Sequence, residues 1–322
     1  MMTTLEAAWQ RRSVLHELDG TTAYRLLNRA GDGFPTLSVD RFSTVLIANL
    51  YERTAPPYSL LQALADRAGA LAVYVKHRPL QASGLDEQTR AQLAPEKPLL
   101  GRPLPRVEVL ENGLSFLIRP AEGLNPGLFL DMRPARARLQ KRVRNQTVLN
   151  CFAYTCGFAV AALNGGAARV LNLDISRRYL DWGRQNVELN GFSTVPTDFL
   201  QGDVMDWLNR LGRRGQRFDW VILDPPSYST TRNSRFTVER DYPRLVAMAA
   251  KVVQPGGWLM ACTNQEQLTL RAFLARIRQG LQGQPARIIR TEHEPELDFP
   301  VAPGGKPYLK VCLVRIGSSP AR

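Results

Sequence analysis

Three carboxylates close apolar runs in the middle of this chain: Asp174 after Arg169–Leu173, Asp203 after Thr197–Gly202, and Asp224 after Trp220–Leu223. They follow a first apolar run, Thr147–Asn150, which opens into a turn of mostly small residues ending at Gly157. If these runs are parallel strands, their carboxyl ends share one sheet edge, where nucleotide-like ligands bind. A carboxylate there accepts from hydroxyl and amino groups. Asp174 lies 24 residues after Asn150 and suits the two hydroxyls of a ribose, whereas Asp203 suits an adenine amino group. Either acid has a plainer alternative as the cap of the helix that follows. Asp224 opens the run Asp224-Pro225-Pro226-Ser227-Tyr228. Two prolines directly after a buried strand suit neither a helix start nor a continuing strand, so they define a rigid turn. Asp224 and the turn carbonyls can orient a base edge on which Tyr228 stacks; alternatively Tyr228 packs in the core.

The first turn discriminates between nucleoside cofactors. A dinucleotide requires G-x-G-x-x-G, because its pyrophosphate must meet bare backbone at a helix amino terminus. The turn Asn150-Cys151-Phe152-Ala153-Tyr154-Thr155-Cys156-Gly157 holds a single glycine. S-adenosylmethionine carries no phosphate and needs only close backbone approach, which Ala153, Thr155 and Gly157 permit. The acids and this turn together predict S-adenosylmethionine as cofactor.

The elements that must position these residues alternate regularly. Strands are expected at Thr147–Asn150, Arg169–Asp174, Thr197–Gln201, Trp220–Asp224, Gly257–Thr263, Ala286–Glu292 and Leu309–Arg315, the last two joined as a hairpin. Helices are expected from Gly157, at Arg177–Leu189, Val204–Leu211, Tyr242–Val253 and near Leu268–Gln279. The fold class is therefore α/β, a Rossmann-like, seven-stranded doubly wound sheet, in a domain spanning 106–322. A hairpin, Val107–Leu110 with Leu114–Ile118 around Asn112-Gly113, and a helix Met132–Arg142 precede it. Residues 1–105 alternate short apolar runs with turn signals and read as a small α+β substrate-recognition domain, with Leu85–Pro105 as linker or long loop.

Of 322 residues, 44% are hydrophobic, enough for about two domains with a core. No apolar run approaches a membrane span and no secretion signal is evident, so a soluble, cytoplasmic protein is expected. Four cysteines and three histidines are scattered, without metal-ligand or disulfide spacing, and no metal is expected. Net charge is +13, and 36 of the 42 cations are arginine. Residues 106–322 carry +11 of it. A forked guanidinium suits phosphate oxygens, so a polyanionic partner, nucleic acid, is favoured over a codon-bias explanation.

With these residues in view, the chain resembles the ribosomal RNA large-subunit methyltransferase I-like family of base methyltransferases. The resemblance runs from about Tyr24 to Leu313. It is carried by Tyr24–Asn28 with Gly31–Pro35 and Val39–Arg41, by Gly127–Arg133, Leu149–Thr155, Glu188–Gly191 and Phe218–Ser227, and by Pro307–Lys310. It implies a class I methyltransferase fold acting on 23S ribosomal RNA, with Phe129, Asp131 and Arg133 beside the methionyl end of the cofactor. Ile175, Ser176, Asn190 and Val204 complete the expected cofactor contacts with Asn150, Phe152, Ala153, Tyr154, Thr155, Gly157, Asp174, Asp203 and Asp224.

Two departures from the family matter. Members often begin with an RNA-binding PUA domain, and here the recognition domain starts within about twenty residues of Met1. Members that methylate carbon 5 of cytosine use a cysteine just after the fifth strand, because that carbon becomes nucleophilic only after a thiolate adds at carbon 6. The corresponding residue here is Asn264, and Cys262 lies two residues earlier, about 7 Å along a strand. Asn264 resembles the branch that methylates guanine at nitrogen 7, where an existing lone pair needs only orientation. The expected catalytic set is Asp224, Pro225, Pro226, Tyr228 and Asn264. Thr230, Thr231, Arg232, Asn233 and Arg235 form a loop that either grips the substrate or is solvated. Arg133, Arg136, Arg138, Lys141, Arg142 and Arg144 share a helix and its exit, either on RNA phosphates or as a solvated face. A cytosine-5 enzyme using Cys262 and an inactive RNA-binding or assembly protein remain alternatives. Monomer and homodimer are both open.

Overall fold

The computed structural model describes residues 2–78, 86–226, 228–230 and 235–317. Ser227, Thr231, Arg232 and Asn233 lie outside the described residues, as do the side chains of Tyr228, Thr230 and Arg235. The chain divides into two compact units, Met1–Arg133 with Pro295–Lys306, and Pro134–Glu294 with Pro307–Arg322.

The first unit opens with helices α1 (Met2–Arg11) and α2 (Ser13–Glu17), followed by β1 (Ala23–Asn28), β2 (Leu37–Phe42) and β3 (Val45–Leu50). Helix α3 (Tyr58–Ala68), β4 (Ala72–His77), α4 (Glu87–Leu93) and β5 (Leu100–Gly101) complete a five-stranded sheet in sequential order. The stretch expected as a linker thus contains a helix and an edge strand, too short to register as a periodic run. Alternate residues of β1–β4 (Tyr24, Leu26, Val39, Leu46, Ala48, Val73 and Val75) pack with α1 and α3 into one apolar core. The hairpin of β6 (Val107–Glu111) and β7 (Leu114–Ile118) is stitched to the same unit. Thr22 N donates to Leu110 O at 2.8 Å and Gly113 N to Gly20 O at 2.7 Å. This places the hairpin and the residues up to Arg133 in the first unit.

The second unit takes α5 (Arg133–Gln140) from its second residue and continues through β8 (Thr147–Cys151), α6 (Gly157–Asn164), β9 (Arg169–Asp174), α7 (Arg177–Leu189), β10 (Phe199–Gln201), α8 (Val204–Arg213) and β11 (Phe218–Leu223). A short pair, β12 (Tyr228–Thr230) and β13 (Arg235–Thr237), precedes α9 (Val238–Ala250), β14 (Val253–Thr263), α10 (Leu270–Gly280), β15 (Ala286–Glu292) and β16 (Lys310–Ile316). The sheet order is β10-β9-β8-β11-β14-β16-β15. Parallel pairing holds from β10 to β14, and β16 enters antiparallel between β14 and β15. This is the expected seven-stranded α/β sheet. Its last two strands pair as expected, but the chain between them contributes Pro295–Lys306 to the first unit.

Helix α9 begins four residues before the expected Tyr242. Asp241 accepts from Thr237 N at 2.8 Å, which fixes the first turn ahead of Pro243. Proline has no N–H for the carbonyl four residues back, and Arg276 Nε fills that acceptor, Glu239 O, at 2.9 Å. Helices α8, α9 and α10 cover one sheet face, where Leu149, Val221, Leu223, Leu259, Tyr242, Leu245 and Phe273 form a continuous core. Each fully buried large side chain there contributes about 1.5–3 kcal/mol of burial free energy.

Candidate active site

Sheet register aligns two of the predicted acids, Asp174 and Asp224. Leu200 pairs with Leu173, Leu173 with Cys151, Cys151 with Leu223 and Leu223 with Ala261, so these residues form one row across five strands. One residue further on, Asp174, Phe152, Asp224 and Cys262 share the next row. Chain order reverses between β8 and β11, since β9 and β10 lie to one side of β8 and β11 and β14 to the other. A crevice at such a reversal, outside the strands' carboxyl ends, is where nucleotide-like ligands lodge in open α/β sheets.

The turn after β8 is built from three non-glycine residues in the left-handed region, Phe152, Tyr154 and Cys156, with φ of 58°, 49° and 60°. Each costs about 1–2 kcal/mol, and such backbone persists only where its surroundings hold it. Ala153 N donates to Leu173 O at 3.0 Å, and Tyr154 N to Asp174 Oδ2 at 2.9 Å. Asn186 Nδ2 on α7 donates to Thr155 O at 2.9 Å, and the Tyr179 ring meets Tyr154 edge-on at 4.6 Å. Gly183 lets α7 approach, because a Cβ there would lie 2.2 Å from Cys156 Sγ. These α7 supports were not anticipated from sequence. The signal was present, since a mid-helix glycine costs about 1 kcal/mol and calls for a packing reason.

Asp174 is 9% exposed. Its Oδ1 accepts from Ser176 N at 2.8 Å and its Oδ2 from Tyr154 N, and the Ile175 amide also bonds the carboxylate, so its geometry is fixed by backbone. Burial raises its pKa above the ordinary carboxylate value, and the Ser176 and Tyr154 amides pull the other way. The neighbouring Ile175 is 55% exposed, an apolar surface suited to a base ring. Ser176 caps α7, accepting from Tyr179 N.

Asp203 lies two residues past β10 and is the N-cap of α8. Its Oδ1 accepts from Met205 N at 2.8 Å and Asp206 N at 3.2 Å, which leaves Oδ2 for an amino group. The cap and the ligand role are therefore compatible. Gly202 joins the two acids, its N–H donating to Asp174 O at 2.9 Å. Asp224 is half-buried, Pro225 buried and Pro226 exposed. Asn264 follows the last residue of β14 and is exposed, whereas Cys262 is fully buried inside β14, opposite Val311.

Asn190 caps the far end of α7, and thirteen residues of helix carry it about 20 Å from Ser176. Its Nδ2 donates to Asn186 O. Asn150 spends its amide within the sheet, donating to Asn172 Oδ1 at 2.9 Å. Val204 is buried in the first turn of α8, and Gly157 begins α6. Phe129, Asp131 and Arg133 belong to the first unit, where Arg133 forms a two-pronged bond to Asp298 at 2.7 and 3.1 Å. On α5, Arg136 is buried and Arg138 pairs with Glu292. Arg133, Arg136 and Arg138 are therefore neither a solvated face nor free phosphate grips; only Lys141, Arg142 and Arg144 are exposed. All four cysteines are buried and reduced. Among the described residues no helix is long and apolar enough to cross a membrane.

A seven-stranded sheet with one inserted antiparallel strand and acids at successive strand ends defines the class I methyltransferases. The family described as S-adenosylmethionine-dependent methyltransferase matches residues 24–304. A ribosomal RNA large subunit methyltransferase I from Aliivibrio fischeri is 34% identical over 260 residues, 80% of this chain and 64% of that protein. Its counterpart from Klebsiella pneumoniae is 31% identical, over 84% of this chain and 67% of the relative. A crystal structure assigned to a methyltransferase, in complex with SAH, superposes with a TM-score of 0.85 at 26% identity, covering 98% of this chain and 80% of the other. This chain belongs to the ribosomal RNA large-subunit methyltransferase I-like family of S-adenosylmethionine-dependent methyltransferases. Its cofactor is S-adenosylmethionine.

Proposed function

We propose that this protein methylates a base of 23S ribosomal RNA, at nitrogen 7 of a guanine, in the cytoplasm. The observation that carries the reading is the pairing of a nucleoside-binding edge with an acceptor side that lacks an accessible thiolate. Asp174 would accept the ribose hydroxyls, Ile175 would face the adenine, and Oδ2 of Asp203 would accept its amino group. The turn Phe152–Thr155 would hold the methionyl part. Bound there, the cofactor supplies a sulfonium methyl.

The chain's task is to orient a base in line with that methyl, which Asp224, the Pro225-Pro226 turn, Tyr228 and Asn264 would do through the base edge and face. Nitrogen 7 would bring an existing lone pair to that methyl, so these residues would have only to orient the base and no proton to remove. Cytosine-5 chemistry would require Cys262 to attack carbon 6. A side chain that is 0% exposed within a paired strand is poorly placed for that. The alignment with named ribosomal RNA methyltransferases supports RNA as substrate, and the +13 charge agrees with it.

The test is mass mapping of modified nucleotides in ribosomal RNA from a strain lacking this gene, followed by restoration with purified protein. A lost and restored 7-methylguanine is expected. Cys262→Ala should restore it as well as the unaltered protein does. A lost 5-methylcytosine that Cys262→Ala fails to restore would replace the nitrogen reading, and loss of no methyl group would end it.

A further inference from the structure

The donor site occupies the carboxyl edge of the sheet in the second unit, and the opposite edge has an unexplained charge. Lys141, Arg142 and Arg144 lead into β8, Arg213 ends α8 and Arg214 follows it, and Lys251 precedes β14. All six are exposed, and among the described residues none pairs with a carboxylate. The acids nearby are occupied: Asp198 pairs with Arg169 at 2.6 Å, and Asp219 accepts from Thr147 N and Oγ1 at 2.8 Å.

The antiparallel strand adds to this edge. Arg315 of β16 stands directly opposite Arg287 of β15, two exposed like charges in cross-strand register, an arrangement that costs stability. Arg315 lies over the Trp258 ring at 4.7 Å, and Trp258 stacks on Trp220 at 5.3 Å. Cations at helix carboxyl ends are ordinarily explained by the helix dipole, worth about 0.3–1 kcal/mol each. That accounts for Lys141, Arg213, Arg214 and Lys251. It does not account for Arg144, Arg287 or Arg315, which lie in a loop and on strands.

Resting on the RNA reading above, we propose that this amino-terminal edge is a second RNA-contact surface. It takes the phosphate backbone of a structured RNA segment while the nucleotide to be methylated occupies the opposite edge. Guanidinium forks match phosphate oxygens in pairs, and an anion shared between Arg287 and Arg315 turns a repulsion into a binding site. A five-residue strand separates the edges by about 17 Å, so only an RNA extending past the domain touches both. The surface therefore selects large folded RNA over short fragments.

The test uses the full chain carrying Arg142→Gln with Arg144→Gln, and separately Arg213→Gln with Arg214→Gln. Affinity for full-length 23S ribosomal RNA is measured across salt concentrations. Each pair should lower the slope of log affinity against log salt by about 1.4–1.8, the value for two phosphate contacts. Affinity for S-adenosylmethionine should not change. KM should rise on full-length RNA and stay constant on the shortest fragment that accepts a methyl group. Unchanged affinity and slope on full-length RNA would overturn the proposal, as would an equal loss on both substrates. Loss of binding only to vesicles of anionic phospholipid would reassign the edge to a membrane surface. An unaltered protein that binds no RNA at any salt would overturn both this and the RNA reading, whereas unaltered binding with unaffected variants sinks this inference alone.

Discussion

The two units handle charge in opposite ways. The first buries it: Arg12 donates to both oxygens of Asp32 at 2.8 and 2.6 Å, and also to Asp298 O at 2.9 Å. Asp298, fully buried, takes the two-pronged bond from Arg133, and Arg25 pairs with Asp40 at 2.7 Å. The second unit keeps a largely apolar interior and sets its acids where strands end. A buried ion network fixes geometry at the expense of desolvation, whereas acids at a sheet edge keep acceptor positions for a ligand. The first pattern locates a segment and the second binds something.

The largest expected effect tests the first half of this contrast. Asp298→Ala strands the buried Arg133 guanidinium, and loss of one partner of such a pair costs about 3–5 kcal/mol. Urea unfolding should show a midpoint lowered accordingly. A change under 1 kcal/mol would mean that the network contributes little. The site of this residue explains its sensitivity. Pro295–Lys306 leaves the second unit's sheet to join the first, and Gly31 has no room for a Cβ, which would lie 1.8 Å from Pro300 O.

Asp174→Ala tests the other half. Two charge-assisted ribose bonds at about 1.5–3 kcal/mol each make the expected loss in S-adenosylmethionine affinity a hundredfold or more by calorimetry. Because burial raises the Asp174 pKa above its ordinary value, affinity should also fall as pH drops through that raised value. Stability follows the opposite course. Between the ordinary and the raised value the folded state holds more protons than the unfolded chain, so this group favours folding less as pH rises through that window. Affinity that stayed constant across it would remove Asp174 from the cofactor contacts.

Lys76 is the exception within the first unit. It is fully buried, and among the described residues its Nζ has no hydrogen-bond partner. Burial, with help from the Arg78 charge and against that of Glu96, pulls its pKa down to about 8. The folded state sheds this proton earlier than the unfolded chain, so stability should rise with pH between about 8 and 10.5. Lys76→Met should abolish that rise and stabilise the protein at neutral pH by about 1–4 kcal/mol, as replacing buried charge by apolar volume often does. Destabilisation by this change would mean that Lys76 belongs to the paired network after all.

What the sequence made legible follows the same division. Asp174 and Asp224 were readable because each strand end is marked locally, by an apolar run and then a carboxylate, and parallel pairing brings them level. The ion network was not, since Arg12 and Asp298 are 286 positions apart and nothing near either announces the other. Arg133 illustrates the difficulty: its motif marks it for the cofactor, and its contact within the first unit is Asp298. Asn190 stands apart for a simpler reason, because thirteen residues of helix separate its motif from the strand end that carries Asp174. Cys262, expected to pack because it lies two residues short of the position of Asn264, is fully buried within β14.

Asp203 carries the smallest expected effect and separates the two uses of an edge acid. As N-cap of α8 it is worth about 1 kcal/mol, which Asp203→Ala should cost and Asp203→Ser should largely preserve, since a hydroxyl also accepts from the first-turn amides. A hydroxyl in place of Oδ2 gives a weaker acceptor for the adenine amino group. Asp203→Ser should therefore unfold at the unaltered midpoint yet bind S-adenosylmethionine about tenfold less tightly, the loss of one bond to a charged acceptor. If both properties match the unaltered protein, Asp203 is a cap alone, and nucleoside binding at this edge rests on Asp174 and the turn it holds.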